Sequence, residues 1–406
     1  MPDARDPRLL LRAAGAAREA AGLRRVLRPR AAGQDGEVDL ASNDYLGLAA
    51  NPVVAQAAAA AAITWGAGAT GSRLVTGSTE LHARLERALA DFCDAPAALV
   101  FSSGYLANLA TVTALTSALS AGPAAPPGGP GADHRRAALV VSDAANHASL
   151  IDACRLSHAR IEITPHLDVA AVAAALAGRT EPAALVITES VFSVDGDLAP
   201  LADLHRAVRA HGALLVIDEA HALGVLGPAG RGAAHAAGLA GEPDVVRTLT
   251  LSKSLATQGG AVVGRDEVIQ TLIDTGRSFI FDTGLAPPCA GAALAALEVI
   301  AADGNLGHRT RANALRIAEM ATDLGLRASR PAAGVVSVIL GSPEAAASAQ
   351  QTCARHGVRT GCFRPPSVPA GRSCLRLAAR ATLTERDFAA VSRALAAVRQ
   401  HVRMRA

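Results

Sequence analysis

One lysine stands in the whole chain. Of its 39 basic residues, Lys253 is the single amine and every other is an arginine. Rings are scarce too: 1 Trp, 2 Tyr and 7 Phe among 406 residues. A core with so few rings must be built from closely packed Ala, Leu and Val. No strong charge of one sign is present. The net charge is +3, no Lys/Arg run is long, and none is interleaved with aromatics. That argues against nucleic acid as a partner. The densest basic stretch, Arg24 to Arg30, reads as a solvated helix face. The 6 cysteines form no CxxC pair and no zinc-type Cys/His spacing. They read as reduced thiols, and no metal site is expected. Long runs of Leu, Ile, Val and Phe are also missing. Residues 53–72 are mainly Ala, and 95–132 are broken by Ser, Asn, Gly and Pro, so neither suits a bilayer. The N-terminal residues contain acids and no long apolar centre, unlike a secretory leader. The expectation is a cytoplasmic protein with no membrane partner.

What is there is a regular alternation. Half the chain is hydrophobic and 18% is charged, the balance of a globular protein. Apolar runs at 98–105, 137–147, 182–190, 212–221 and 245–253 end at polar or Gly residues, with helical stretches such as 201–211 between them. That pattern predicts an α/β fold with a mostly parallel sheet covered by helices on both faces. Ligands in such sheets bind beyond the carboxyl ends of the strands, where the polar residues of this chain gather. Residues 1–40 are expected to form a helical arm, 41–286 a large domain, and 287–406 a smaller C-terminal α+β domain. The Pro/Gly-rich stretch 122–136 reads as a surface insertion.

The lysine gives the chemistry a starting point. Arginine can replace lysine wherever only charge is wanted, but guanidinium does not deprotonate in proteins. A buried lysine loses its proton more readily and can attack a carbonyl to form an imine. Alone, Lys253 reads equally as such a nucleophile or as an accidental leftover or half of a buried ion pair. Asp218 and His221, in "LLVIDEAHALG", end another buried run. A carboxylate there could keep the nitrogen of a pyridine cofactor protonated, and the histidine could donate to a ring oxygen. Each alone is equally a helix cap or a core histidine. In "FSSGYLAN", Gly104 and Tyr105 open a helix whose amides could hold a phosphate. His147 in "NHASL" could stack on a flat ring, or be a loop histidine. Glu189 and Ser193 end a further run in "TESVFSVDGD".

These stretches, with "SNDYLGLAANP", "ATGSRLVTGSTELHARLE" and "TLSKSLATQGG", occur in an order that resembles the α-oxoamine synthase family of fold type I pyridoxal-phosphate enzymes. The resemblance runs from about residue 40 to 380. It implies pyridoxal 5'-phosphate held covalently by Lys253, with Asp218 on the ring nitrogen, His221 on the ring hydroxyl and His147 on the ring face. Gly104, Tyr105 and the Thr250 hydroxyl would surround the phosphate, and Ser193 would line the cofactor site. Arg376 would grip the amino-acid carboxylate, and Ser367 would contact substrate. Thr283 would reach the phosphate of a partner subunit, which implies a homodimer with a shared active site. Lys253, His147, Asp218 and His221 would be the catalytic set of an acyltransferase.

Within the family, "SRLVTGSTELHARLE", "FDTGLAPP" and "FRPPSVPAG" resemble the members that join L-alanine to a pimeloyl thioester with loss of CO2. Arg24 would then meet the pimeloyl carboxylate, and its alternative is a solvated helix arginine. The alternative substrate pair is glycine and acetyl-CoA, which gives Arg24 no work. The chain departs from the family pattern at Ala222, where Ser or Gly is common, and at Ala256–Thr257, where Gly–Ser is common.

Overall fold

The computed structural model describes residues 6–30, 32, 36–121 and 138–403, so the stretch 122–136 lies outside the described residues. Two sheets organise the chain. The larger is built from β2 (Ala97–Phe101), β3 (Ala138–Asp143), β4 (Arg160–Thr164), β5 (Ala183–Glu189), β6 (Leu214–Asp218), β7 (Val245–Thr250) and β8 (Gly260–Gly264). Their spatial order is β2-β8-β7-β6-β5-β3-β4. Only β8 runs antiparallel, to both its neighbours; the other pairings are parallel. The central strands are buried along their length, which explains their mostly apolar composition; in β7 the buried Arg247 donates to the Cys93 carbonyl.

The smaller sheet takes β1 (Val38–Leu40), β9 (Arg327–Ala328), β10 (Val335–Gly341), β11 (Val358–Phe363) and β12 (Ser373–Ala378), in the order β1-β11-β12-β10-β9. The helices Leu306–Asp323 and Glu385–Arg403 supply its apolar cover, through Ile317, Ala321, Val391 and Leu395. The sequence pattern drew two boundaries that the packing moves. The last residues of the expected arm, Val38–Leu40, pair in parallel with β11 and so belong to the small sheet. The helix Pro287–Ala302, expected to open the small domain, buries Ala290, Ala293, Ala296 and Ile300 in the large core. It lies against the helix Pro52–Trp65, so closely that a Cβ on Gly291 would stand 2.7 Å from Ala61 Cβ. Small side chains take the place of rings in this contact, since a shorter interaxial distance recovers dispersion contacts that bulk would otherwise supply. The arm itself contains the helix Pro7–Ala20, of which no residue is buried. Among the described residues no single helix is long and apolar enough to cross a membrane.

Candidate active site

Five strand ends converge at one edge of the large sheet. β2 delivers Ser103 and Gly104, β3 His147, β5 Glu189, β6 Asp218 and His221, and β7 Thr250 and Lys253. They line a cavity of about 270 Å³ together with Asn108, Ser149 and Gly259. Parallel strands force this convergence, because each carboxyl end must turn at the same edge before its helix returns.

Lys253 is the centre of the cavity's chemistry. Its Nζ lies 2.8 Å from His221 Nε2. Burial pulls its amine down to about 8, against the opposing pull of Asp218 and Glu189. A lysine with that basicity releases its proton near neutral pH, as an attacking amine must. His221 is buried, and burial followed by the Lys253 charge holds it well below the ordinary imidazole range. It is therefore a neutral ring with one N–H. Its Nδ1 is 2.6 Å from the hydroxyl of Tyr45, a residue with no exposed surface. Tyr45 Oη also donates toward Asn43 Oδ1 at 3.2 Å and accepts from Arg376 Nη2 at 3.4 Å.

Arg376 comes from β12 of the small sheet and closes the network. It is 4% exposed; its Nε donates to the Ser193 carbonyl at 2.6 Å and its Nη1 to Asn43 Oδ1 at 2.8 Å. Its remaining donors keep the bidentate fork that suits a carboxylate. Asp218 is 6% exposed; its Oδ2 accepts from Asn108 Nδ2 at 2.7 Å and its Oδ1 from the Ala220 amide at 2.9 Å. Asn108 also donates to Ser149 Oγ at 2.9 Å, and that hydroxyl is 2.8 Å from His147 Nδ1. His147 is exposed, yet the protein around it lowers its basicity, an effect only partly offset by Asp218.

Pyridoxal phosphate fits the donor set. Asp218 supplies a buried carboxylate and Lys253 an amine of lowered basicity on the same cavity wall. Two buried atoms in that wall, Asn108 Oδ1 and Glu189 Oε1, have no partner among the described residues, so the cavity is polar and incomplete. The helix Gly104–Ala121 points its first amides into the cavity beside Thr250, whose Cβ would stand 3.1 Å from a Cβ on Gly104. A helix start of this kind suits a phosphate.

The remaining expected residues stand apart from this cavity. Ser193 is one bond away: its amide donates to Glu189 Oε2 at 3.1 Å. Ser367 lies in a separate cavity of about 120 Å³ with Leu23, Arg25 and Arg364. Arg24 is on the arm, paired with Glu19 at 2.7 Å, and its side chain is 64% exposed. It lies beyond the end of the helix Pro7–Ala20. Thr283 is exposed and bridges Ser72. Its neighbour Asp282 accepts from Ser102 Oγ, which ties this loop to the start of the Gly104 helix. Sequence reasoning did not single out Asn43, Tyr45, Asn108 or Ser149, and gave Glu189 no role beyond ending a run. Only the apolar runs that end at them, or the helix starts beside them, could have marked them.

The family model for class I and II aminotransferases matches residues 35–395. An 8-amino-7-oxononanoate synthase of Mycolicibacterium smegmatis is 57% identical over 92% of this chain and 91% of its own length. One from Mycobacterium avium is 55% identical over 93% of each. Among solved structures, a Sphingomonas wittichii serine palmitoyltransferase superposes with a TM-score of 0.84 at 27% identity, covering 98% of each chain. A serine palmitoyltransferase solved with pyridoxal phosphate gives 0.85 at 28% identity over 97% of each. A Francisella tularensis 8-amino-7-oxononanoate synthase shares the fold, with a TM-score of 0.74 over 92% of this chain and 99% of its own. The chain belongs to the class I and II aminotransferase family and, among its fold type I pyridoxal-phosphate enzymes, to the α-oxoamine synthases.

Proposed function

We propose that the enzyme condenses L-alanine with a pimeloyl thioester, on CoA or a carrier protein, to give 8-amino-7-oxononanoate, CO2 and free thiol, a step of biotin synthesis. The observation that carries this reading is the 57% identity along nearly the whole chain to a relative of that activity.

Bound pyridoxal phosphate supplies a protonated pyridine ring that takes up the electron pair left at the amino-acid Cα. The residues of the chain do the rest. Lys253 Nζ would hold the cofactor and is the amine placed to accept the Cα proton. Asp218, fixed by Asn108 and Ala220, holds the proton on the ring nitrogen. His221, held at Nδ1 by Tyr45, would pair with the ring oxygen. Arg376 fixes the carboxylate, which selects the Cα bond that breaks. His147 covers the ring and steadies the acyl oxygen as charge develops on it. Gly104, Tyr105 and Thr250 bind the phosphate, and Ser193 positions Glu189 and Arg376. Ser367 and Arg24 belong to the acyl-chain side.

The working form is a homodimer in this proposal, with Thr283 meeting the partner's phosphate. Exposed Leu74, Val75 and Phe281 support it, because they lie on the two loops joined at Ser72 and Thr283. The compartment is the cytoplasm, which suits six free thiols. Thiol release tests the substrates. L-Alanine with pimeloyl-CoA should react; if only glycine with acetyl-CoA reacts, the acyl and amino-acid assignments fall together.

A further inference from the structure

We propose that Glu189 works as a neutral carboxylic acid, keeping a proton on Oε1 and donating it in a hydrogen bond to an anionic oxygen bound in the cavity. Only the identity of that oxygen rests on the pyridoxal-phosphate reading; the protonation does not.

The argument starts from the sheet. Glu189 ends β5 and Asp218 ends β6, and the two are register partners on adjacent parallel strands. Strands so paired lie about 5 Å apart, and both side chains line the same cavity. Glu189 is 2% exposed and Asp218 is 6% exposed. Two carboxylates in one buried place cannot both hold charge cheaply, so one keeps its proton.

The donors decide which one. Each oxygen of Asp218 accepts an N–H, from Asn108 at 2.7 Å and from Ala220 at 2.9 Å. Glu189 has one within strict hydrogen-bond geometry, from the Ser193 amide at 3.1 Å on Oε2, with the His147 amide a second influence. Its Oε1 is buried without a partner among the described residues. N–H donors favour the charged carboxylate, and the bare Oε1 of Glu189 is the oxygen on which a proton can reside. The charged groups that face Glu189 act in both directions. Burial first and Asp218 second raise its basicity, while Lys253 lowers it, and the balance is upward.

A neutral acid is useful at this place. Glu189 Oε2 is tied to the Ser193 amide, and the Ser193 carbonyl accepts from Arg376. The carboxyl is therefore linked through Ser193 to the arginine. An ionised Glu189 would repel a carboxylate or phenolate there, whereas its O–H attracts one without adding charge.

Two measurements on the holoenzyme test this. The first is infrared spectroscopy in D2O at neutral pD. The difference spectrum of wild type against Glu189→Gln should contain the carbonyl stretch of a protonated carboxyl; loss of a carboxylate pair of bands would overturn the proposal. Where Glu189→Gln fails to fold, Glu189→Asp takes its place, and the acid band should shift rather than stay fixed. The second is the dissociation constant of L-alanine, read from cofactor absorbance rather than turnover. Glu189→Ala should weaken it about 10- to 100-fold, and Glu189→Gln, which still donates N–H, should recover most of the loss. Equal losses in the two variants would overturn the donor role. If the change is already present without amino acid, as a moved pH midpoint of the cofactor's absorbance, the oxygen is the cofactor's. If it emerges only with amino acid, the oxygen is the substrate carboxylate. Failure of L-alanine as a substrate would remove the second measurement's ligand and leave the infrared result standing.

Discussion

Tyr45→Phe removes one oxygen from the site and leaves the ring's packing in place. That oxygen lies 2.6 Å from His221 Nδ1 and 3.2 Å from Asn43 Oδ1, with Arg376 Nη2 at 3.4 Å. Tyr45 is 0% exposed and His221 and Arg376 are 4% exposed, so water cannot substitute. The 3.4 Å contact is too long to weigh much, which leaves one strong bond and one ordinary bond to lose. Leaving a buried imidazole nitrogen unpaired costs about 1–3 kcal/mol. The Tyr45 hydroxyl also fixes which nitrogen of His221 bears the proton, so the loss should fall on catalysis as well as on folding. The expected result is a fall of about 10- to 100-fold in kcat/KM, at 1.4 kcal/mol per tenfold, with a smaller change in cofactor affinity. Steady-state kinetics and cofactor titration of the purified variant read both. An unchanged kcat/KM in a folded Tyr45→Phe enzyme would refute the tyrosine–histidine coupling.

Three further outcomes are expected. Arg376→Lys keeps the charge but loses the fork, so KM for the amino acid should rise about 10- to 100-fold while cofactor binding holds; equal kinetics would deny Arg376 its carboxylate. Ala256 sits at φ 56°, in the turn where its amide bonds the Lys253 carbonyl. Glycine relieves that left-handed backbone, so Ala256→Gly should stabilise the enzyme by about 1 kcal/mol in denaturant unfolding, and destabilisation would show the strain absent. His166 lies between Asp143 at 2.8 Å and Asp197 at 2.7 Å, and those two carboxylates raise it to about 10. A raised histidine stabilises fully below its unfolded value of about 6.5 and loses that contribution as pH rises toward about 10. Thermal melts of wild type and His166→Gln should therefore differ at neutral pH and converge in the alkaline range; a constant gap would contradict the clamp.

The legible parts of the chain were those where one physical rule dominates. Buried parallel strands are mostly apolar, so β3, β5, β6 and β7 stand out, and their polar ends lead to Asp218, His221 and Lys253. β4 was hidden because it is an edge strand with charged Arg160 and Glu162 among its apolar residues. β1 has three residues, too few for a period to show. The Pro287–Ala302 helix was assigned to the small domain because an Ala-rich helix carries no mark of which core it enters; its contact with Ala61 settles that only in three dimensions. Tyr45 and Asn108 matter through partners 176 and 110 positions away, a relation that no local pattern records.

The most direct measurement is borohydride reduction of the purified holoenzyme followed by mass spectrometry of its peptides. The chain holds one lysine, so the reduced cofactor should be locked to the peptide containing Lys253, and Lys253→Arg should carry none and show no turnover. An unmodified Lys253 peptide from an active enzyme, or turnover by Lys253→Arg, would contradict the assignment of this amine as the group that carries the cofactor.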